Sequence, residues 1–304
     1  MDRYHWAERT ARLSPERDHH EIYRILVSHE FPWDMTQSLS FALYRTYAVP
    51  SIGRLLFDTG ELTERAQQRY DDTALLLDAI LEHGLAHDTG RAALRRMNQM
   101  HGRYDISNDD MRYVLATFVV MPIRWLDEFG WRRLTEGERV ASANYYRELG
   151  RHMGIRDIPA THQEFTAVLD RYERDHFAFD AGARAVSDAT LRLMATFPPH
   201  RRAPEAVSRR CALALMDDPL LDAFGYRRPS RLERVLVHGA VRLRGRVVRW
   251  LPPRKAPFRS RDLPQIRSYP DGYEVTRLGT FAPGCPVPHP AQPPGDGPHG
   301  ATAD

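Results

Sequence analysis

Apolar side chains recur at intervals of three and four along most of this chain. No convincing apolar–polar alternation appears before its C-terminal part. The pattern therefore predicts helices and little else. The clearest repeat, Ala66, Tyr70, Thr73, Leu77 and Ile80, lays one face along a helix capped by Thr63 and closed after His83 by Gly84. The next helix opens at Asp88 or Thr89 and passes through His101 to about Arg103. So short a connection predicts antiparallel neighbours. Ser107 then caps the most apolar helix of the chain, which reaches Gly130 and should kink at Pro122.

Upstream, Ser14-Pro15 reads as a helix start, with a capping hydroxyl and proline at the first helical position. That helix should run to about His29 and be broken at Pro32, with another from about Asp34 to Tyr47. A short helix from Pro50 stops at Asp58-Thr59-Gly60. Downstream, Thr135 with Glu138, Thr161 with Glu164 and Ser230 with Glu233 have capping-box spacing. The helices they open should end near Met153, Phe177 and Trp250. Two more helices are expected over residues 180–196 and 204–216. Residues 266–278 have room for a short strand or hairpin turning at Asp271-Gly272, and residues 283–304, rich in Pro, Gly and His, have little to bury. The expected class is all-α, a single multi-helix globular domain over residues 1–282 with an irregular, disordered tail over 283–304.

Composition narrows the function classes. With 304 residues, 42% hydrophobic and 27% charged, the chain reads as soluble and globular, with enough length for one full core. The longest apolar run, residues 114–126, is interrupted by Pro122 and Arg124 and reads as a buried helix, not a membrane span. The first residues mix acids with bases and hold no apolar stretch, unlike a signal peptide. Two cysteines make no disulfide framework. A cytoplasmic protein is the expectation.

The net charge of +3 is unevenly spread, because residues 230–267 hold eleven Lys or Arg against Glu233 and Asp262 alone. Within this stretch the helix from Ser230 to Trp250 alternates arginines with Leu232, Val235, Leu236, Leu243, Val247 and Val248. Such a helix can lie peripherally on an anionic membrane, at its inner face for a cytoplasmic protein. It can also grip nucleic acid, or simply cover the core with its arginines in water. No nucleic-acid fold signature is present, so nucleic acid is not expected. Oligomeric state stays open.

Several groups could carry chemistry. Arg69 and Thr73, four apart, share a face of their helix, and the following helix brings His101. A lone histidine on a half-apolar face is more often packed or solvated than a ligand, so spacing leaves both readings open. Met97, Met100 and the apolar residues near Val114–Val120 suit a cavity wall and suit an ordinary core as well. Glu173 and His176 have the Glu-x-x-His spacing of di-iron bundles, but such a site needs the motif twice and it occurs once. Adjacent His19 and His20 read as solvated. The pairs Asp71-Asp72 and Asp109-Asp110 point to different helix faces, against a shared acid–base role. No Walker A loop, G-x-G-x-x-G, G-x-S-x-G or H-E-x-x-H occurs.

Taken in order, QQRYDDTALLLDAILEHG, RRMNQMHGRYDI, PIRWLDEFGWRRLTEGER and YRELGRHMGIRDIP resemble the oxygenase family named for MpaB. That family shares its catalytic domain with the bacterial rubber oxygenases, the latex clearing proteins. The resemblance runs from about Phe41 to about Pro257. It implies helices around one b-type haem, with a histidine as proximal ligand and molecular oxygen as co-substrate. It places the iron on His101, and Arg69 and Thr73 in the haem pocket, where the arginine would pair with a propionate or a bound peroxide and the threonine hydroxyl would orient a water or an oxygen species. The separation of 28 residues between Thr73 and His101 suits the family pattern.

One feature departs from that pattern. The rubber oxygenases carry a pocket glutamate proposed as a base, and none of Asp58, Glu61 and Glu64 matches it by motif. The expected function is therefore haem b-dependent oxygenation of a small apolar unsaturated substrate, isoprenoid or lipid-like, by oxidative C=C cleavage. The alternatives are a haem carrier or sensor without turnover, and a haem-free helical module binding membrane or protein.

Overall fold

The computed structural model describes residues 2–198 and 200–280. The expected tail, residues 283–304, lies outside the described residues. Among the described residues there are fourteen α-helices and no strand. In chain order they are α1 (His5–Thr10), α2 (His19–Ile25), α3 (Pro32–Thr46), α4 (Pro50–Asp58), α5 (Glu61–Glu64), α6 (Ala66–His83), α7 (Asp88–His101) and α8 (Asn108–Phe129). They continue with α9 (Glu136–His152), α10 (His162–His176), α11 (Ala181–Ala195), α12 (Glu205–Ala214), α13 (Asp218–Ala223) and α14 (Arg231–Val248).

The centre is α8. Its Tyr113, Ala116 and Thr117 are completely buried, because α3, α9, α10 and α14 pack around it. Ser107 caps it by accepting from Asp110 N at 3.0 Å, and the helix continues through Pro122. One contiguous core joins α2 through α13. Beside α8, α6 and α7 pack on each other as the short connection requires.

A buried ion pair ties three of these helices together. Arg45 of α3 donates two hydrogen bonds to Glu173 of α10, at 2.5 and 2.6 Å, and Tyr113 of α8 donates a third at 3.1 Å. Asp217, half-exposed, faces the same guanidinium at 2.9 Å. Glu173 is thus a packing group. His176, one turn on, is exposed and stacks on Tyr172.

Local chemistry moved several boundaries. Ser14 does not open a helix. The Asp18 carboxylate accepts from Ser14 N at 2.9 Å while Asp18 N donates to Ser14 O at 2.7 Å, and this closed turn delays the helix to His19. An unforeseen α1 precedes it, and a π-helical turn, Leu26–Glu30, follows. Thr63 is not a cap, since its hydroxyl donates to the Gly60 carbonyl at 3.1 Å and the chain breaks at Arg65 before α6 begins. Thr135 and Ser230 form complete capping boxes, whereas Glu164 turns to Ala160 N, leaving Thr161 as a simple cap.

The expected strand within residues 266–278 is absent. Its backbone donors are already taken: the N–H groups of Arg267 and Ser268 both point at Asp71, at 2.9 Å each. No neighbouring strand offers a ladder, and a short 3-10 turn, Val275–Arg277, shapes the segment instead, with another, Ser260–Asp262, just before it. Asp72 accepts from the Tyr269 hydroxyl, Asp78 from Ser260 N, and the buried Arg96 donates to the Leu278 carbonyl at 2.6 Å. The C-terminal part of the chain is thereby strapped across α6 and α7. No described helix is long and apolar enough to cross a membrane.

Candidate functional site

A cavity of about 500 Å³ lies between α4, α6, α7 and the first half of α8, within the size range of small-molecule and cofactor pockets. Its walls are mostly apolar: Leu55, Leu76 and Met97 contribute from α4, α6 and α7, and Met111, Val114 and Phe118 from α8. The helical spacing that built those faces turns their apolar residues inward. Arg69, Thr73 and His101 all line this one cavity. Residues four apart on α6 and the last residue of α7 meet because the two helices run side by side.

Arg69 and Thr73 act as a unit. The Arg69 guanidinium donates to the Thr73 hydroxyl, which itself donates to the Arg69 carbonyl at 2.8 Å. Among the described residues no carboxylate lies within ion-pair distance of Arg69. An arginine lining a mostly apolar hollow, with no carboxylate at ion-pair distance, can take an anion. Its charge also reaches His101.

Burial, reinforced by Arg69, depresses the His101 imidazolium to about 4, with the Met97 carbonyl one turn back pulling weakly the other way. The Nδ1 atom is buried with no hydrogen-bond partner among the described residues. The ring is therefore neutral at pH 7, with no proton to lose before it can bind a metal. The folded value lies below the ordinary 6.5, so stability from the neutral ring is complete above about pH 6.5 and lost as pH falls toward 4. We expect the His101 ring protons to titrate in an NMR experiment with a midpoint near 4. A midpoint near 6.5 would place the ring in water.

Nowhere among the described residues do three His, Cys, Asp or Glu converge as a metal site. A lone imidazole holds iron well only when the iron brings its other donors, as an iron porphyrin does. The apolar walls suit the macrocycle, and the unneutralised Arg69 suits its carboxylates. The donor set thus fits haem.

The cavity also holds groups that sequence spacing did not reveal. Asp58, Glu61, Asp105 and Asp110 reach it, as do Tyr104 and Tyr146. Glu61 is buried on the one-turn helix α5 and accepts from Arg65. Gly60, at φ 71°, makes the turn that swings it inward, and no periodicity announces a helix so short. Of the three upstream acids, Asp58 and Glu61 line the cavity; Glu64 does not.

Asp109 and Asp110 diverge. Asp110 is buried and accepts from Ser51 and Tyr172 at 2.9 Å each, while Asp109 pairs outside with Arg112. His19 pairs with Glu148 at 2.8 Å, and His20 is half-buried beside Tyr145, so only partly solvated. Neither histidine lines the cavity.

Two features bound the hollow. A second hollow of about 590 Å³ adjoins it at His101, Tyr104, Ile106 and Met153. The strap closes part of the first one: Thr280 lines it, and Gly279, at φ 93°, packs so tightly that a Cβ would lie 2.1 Å from Met100 Sδ.

Comparison with known proteins gives a consistent picture. The family model described as ER-bound oxygenase mpaB/B'/Rubber oxygenase, catalytic domain, matches residues 27–250. An ER-bound oxygenase mpaB' of Penicillium brevicompactum is 28% identical over 272 residues, 83% of this chain and 64% of that protein. An ER-bound oxygenase mpaB of Penicillium roqueforti (strain FM164) is 29% identical over 225 residues, 68% of this chain and 74% of that protein. An ER-bound oxygenase mpaB of Penicillium brevicompactum is 34% identical over 140 residues, 44% of this chain and 36% of that protein. The chain thus spans somewhat less than two thirds of the first of these relatives.

Proposed function

The chain belongs to the mpaB and rubber oxygenase catalytic-domain family, and from that premise we propose that it is a haem b-dependent oxygenase acting on an apolar unsaturated substrate of isoprenoid or lipid type. The observation that carries this reading is the convergence of Arg69, Thr73 and a half-buried, neutral His101 on one mostly apolar cavity. The proposed reaction is oxidative cleavage of a carbon–carbon double bond. One double bond and one molecule of oxygen give two carbonyl groups, a balance that needs no separate reductant.

Haem bound in the cavity would supply the binding and activation of oxygen. His101 is the residue that would hold its iron. Arg69 offers fixed positive charge to a propionate or to an oxygen-derived anion, and needs no rearrangement to do so. The Thr73 hydroxyl, held by Arg69, is set to orient a polar atom beside it. Met111, Val114, Leu115 and Phe118 exclude water and grip an apolar chain. Glu61 is a buried carboxylate in the same hollow, held by Arg65.

The test is oxygen uptake by haem-loaded protein across a panel of unsaturated isoprenoids and lipids, with carbonyl products trapped and weighed by mass spectrometry. The expected result is uptake and one new carbonyl pair per oxygen consumed. Stable haem binding without uptake on any substrate would favour a carrier or sensor. Failure to take up haem at all would leave a helical interaction module.

A further inference from the structure

Of the eleven exposed large apolar side chains among the described residues, seven lie on α14 or directly after it. Leu232, Val235, Leu236, Leu243, Val247 and Trp250 are each more than half exposed, Trp250 at 86%. All lie on α14 or at its end. At 3.6 residues per turn, Leu232, Leu243 and Trp250 fall within about 20° of one another, with Val235, Leu236 and Val247 to either side. They form one stripe along the outer face.

The inner face of α14 is fully engaged. Gly245 sits so close to the end of α8 that a Cβ would lie 2.4 Å from the Phe129 carbonyl. Arg244 pairs with the buried Asp34 at 2.6 Å, and Arg242 and His238 share Glu128 at 2.9 Å. The outer arginines are different. Arg231, Arg246 and Arg249 are exposed and form no ion pair with any described residue. By the same geometry Arg231 and Arg249 line one flank of the stripe, and Arg246 lies just inside that edge. Arg254 and Lys255, also exposed, follow directly.

We infer that the outer face of α14 docks the protein on an anionic lipid surface, with the apolar stripe entering the headgroup region and the arginine flank contacting acidic headgroups. The pairing of the two features selects this occupant. A phosphate backbone would use the arginines and leave six apolar side chains in water, whereas an anionic bilayer uses both. A second copy of the chain would bring the same unpaired arginines face to face. The cavity adjoins the start of α8 and α14 its end, about 16 Å apart from Phe118 to Phe129 at 1.5 Å per residue. Docking is therefore proposed as a tether at the far end of α8 from the cavity. It stands independently of the chemistry in the cavity.

The experiment is flotation of full-length protein with phosphatidylcholine vesicles, with and without phosphatidylserine, at low salt. Binding is expected only with the anionic vesicles, and added salt should release it. The triple variant Arg231→Gln, Arg246→Gln, Arg249→Gln should bind on the order of a hundred-fold more weakly. Leu243→Asp with Trp250→Ala should abolish binding. Both sets change exposed residues, and unaltered thermal melts would show that the fold is intact.

Trp250 gives a direct signal. Trp6, Trp125 and Trp131 are buried and Trp33 is half-buried under Arg244, so the part of a vesicle-induced blue shift in emission that is lost in Trp250→Phe reports entry of this stripe. No binding to anionic vesicles would overturn the proposal. So would equal binding by the apolar variant, or a wild-type dimer that Leu243→Asp dissociates. Binding to duplex DNA lost in the arginine variant but unaffected by the apolar one would overturn it in favour of nucleic acid.

Discussion

His101→Ala protein, supplied with haem beside the wild type, is expected to show no Soret band, or one shifted and readily stripped by gel filtration. The effect should be all or nothing for a simple reason. Among the described residues one imidazole, that of His101, lines the cavity. Apolar contacts with the macrocycle would remain, but the iron would lose its protein ligand. His101→Gly should recover a band when free imidazole is added, because the deleted ring leaves a hole of its own shape beside Met97 and Met100. Arg69→Ala and Thr73→Ala form the contrast. Each should keep the iron ligand and the band while lowering turnover, Arg69→Ala the more, since a fixed charge contributes more than a hydroxyl in a dry pocket. A Soret band unmoved by His101→Ala would transfer the ligand role elsewhere and defeat the assignment.

The second large effect is on stability. Glu173→Ala is expected to cost about 3–5 kcal/mol, because it leaves Arg45, only 4% exposed, with its charge largely unanswered. Asp217 would still face that guanidinium, but it is half-exposed and on the far side of it. The Tyr113 hydroxyl would lose its acceptor in the same step. For a protein of this size such a loss lowers the melting temperature by about 10 °C. Replacing both partners, Arg45→Met with Glu173→Leu, should recover most of it, since well-packed apolar residues often match a buried ion pair. Calorimetry of the three proteins decides the matter. A single-variant loss below about 1 kcal/mol would mean that water reaches the pair.

These expectations divide according to how local their causes are. Periodicity and caps made the helices legible. Ser107 and the capping boxes at Thr135 and Ser230 act within a single turn, so their chemistry is written in adjacent residues. Errors arose where a side chain chose a backbone partner that propensity does not rank. Asp18 closed a turn on Ser14, and Asp71 captured the N–H groups of Arg267 and Ser268, nearly two hundred residues away. The strap that follows is invisible in sequence, because each of its anchors, Asp71, Asp72, Asp78 and Arg96, looks like an ordinary charged residue on a helix.

The candidate site divides in the same way. Its histidine, arginine and threonine are named from the resemblance that the ordered motifs carry; four-residue spacing adds that Arg69 and Thr73 share a helix face. Spacing could not say that His101 would be desolvated enough to stay neutral, for that depends on what surrounds it from α6, α8 and α9. Nor could it bring Glu61 and Asp58 into the cavity, or set Thr280 on its wall. The Glu-x-x-His motif was a true spacing without a site, because tertiary packing delivered Arg45 to Glu173 in place of a metal. The sequence by itself determined most of the long helices and which of their faces are apolar, because helix periodicity and capping are properties of neighbours along the chain. Only the tertiary structure decided which charges are buried, which are answered and which face a hollow, because burial and pairing depend on residues that meet in space after the chain has closed on itself.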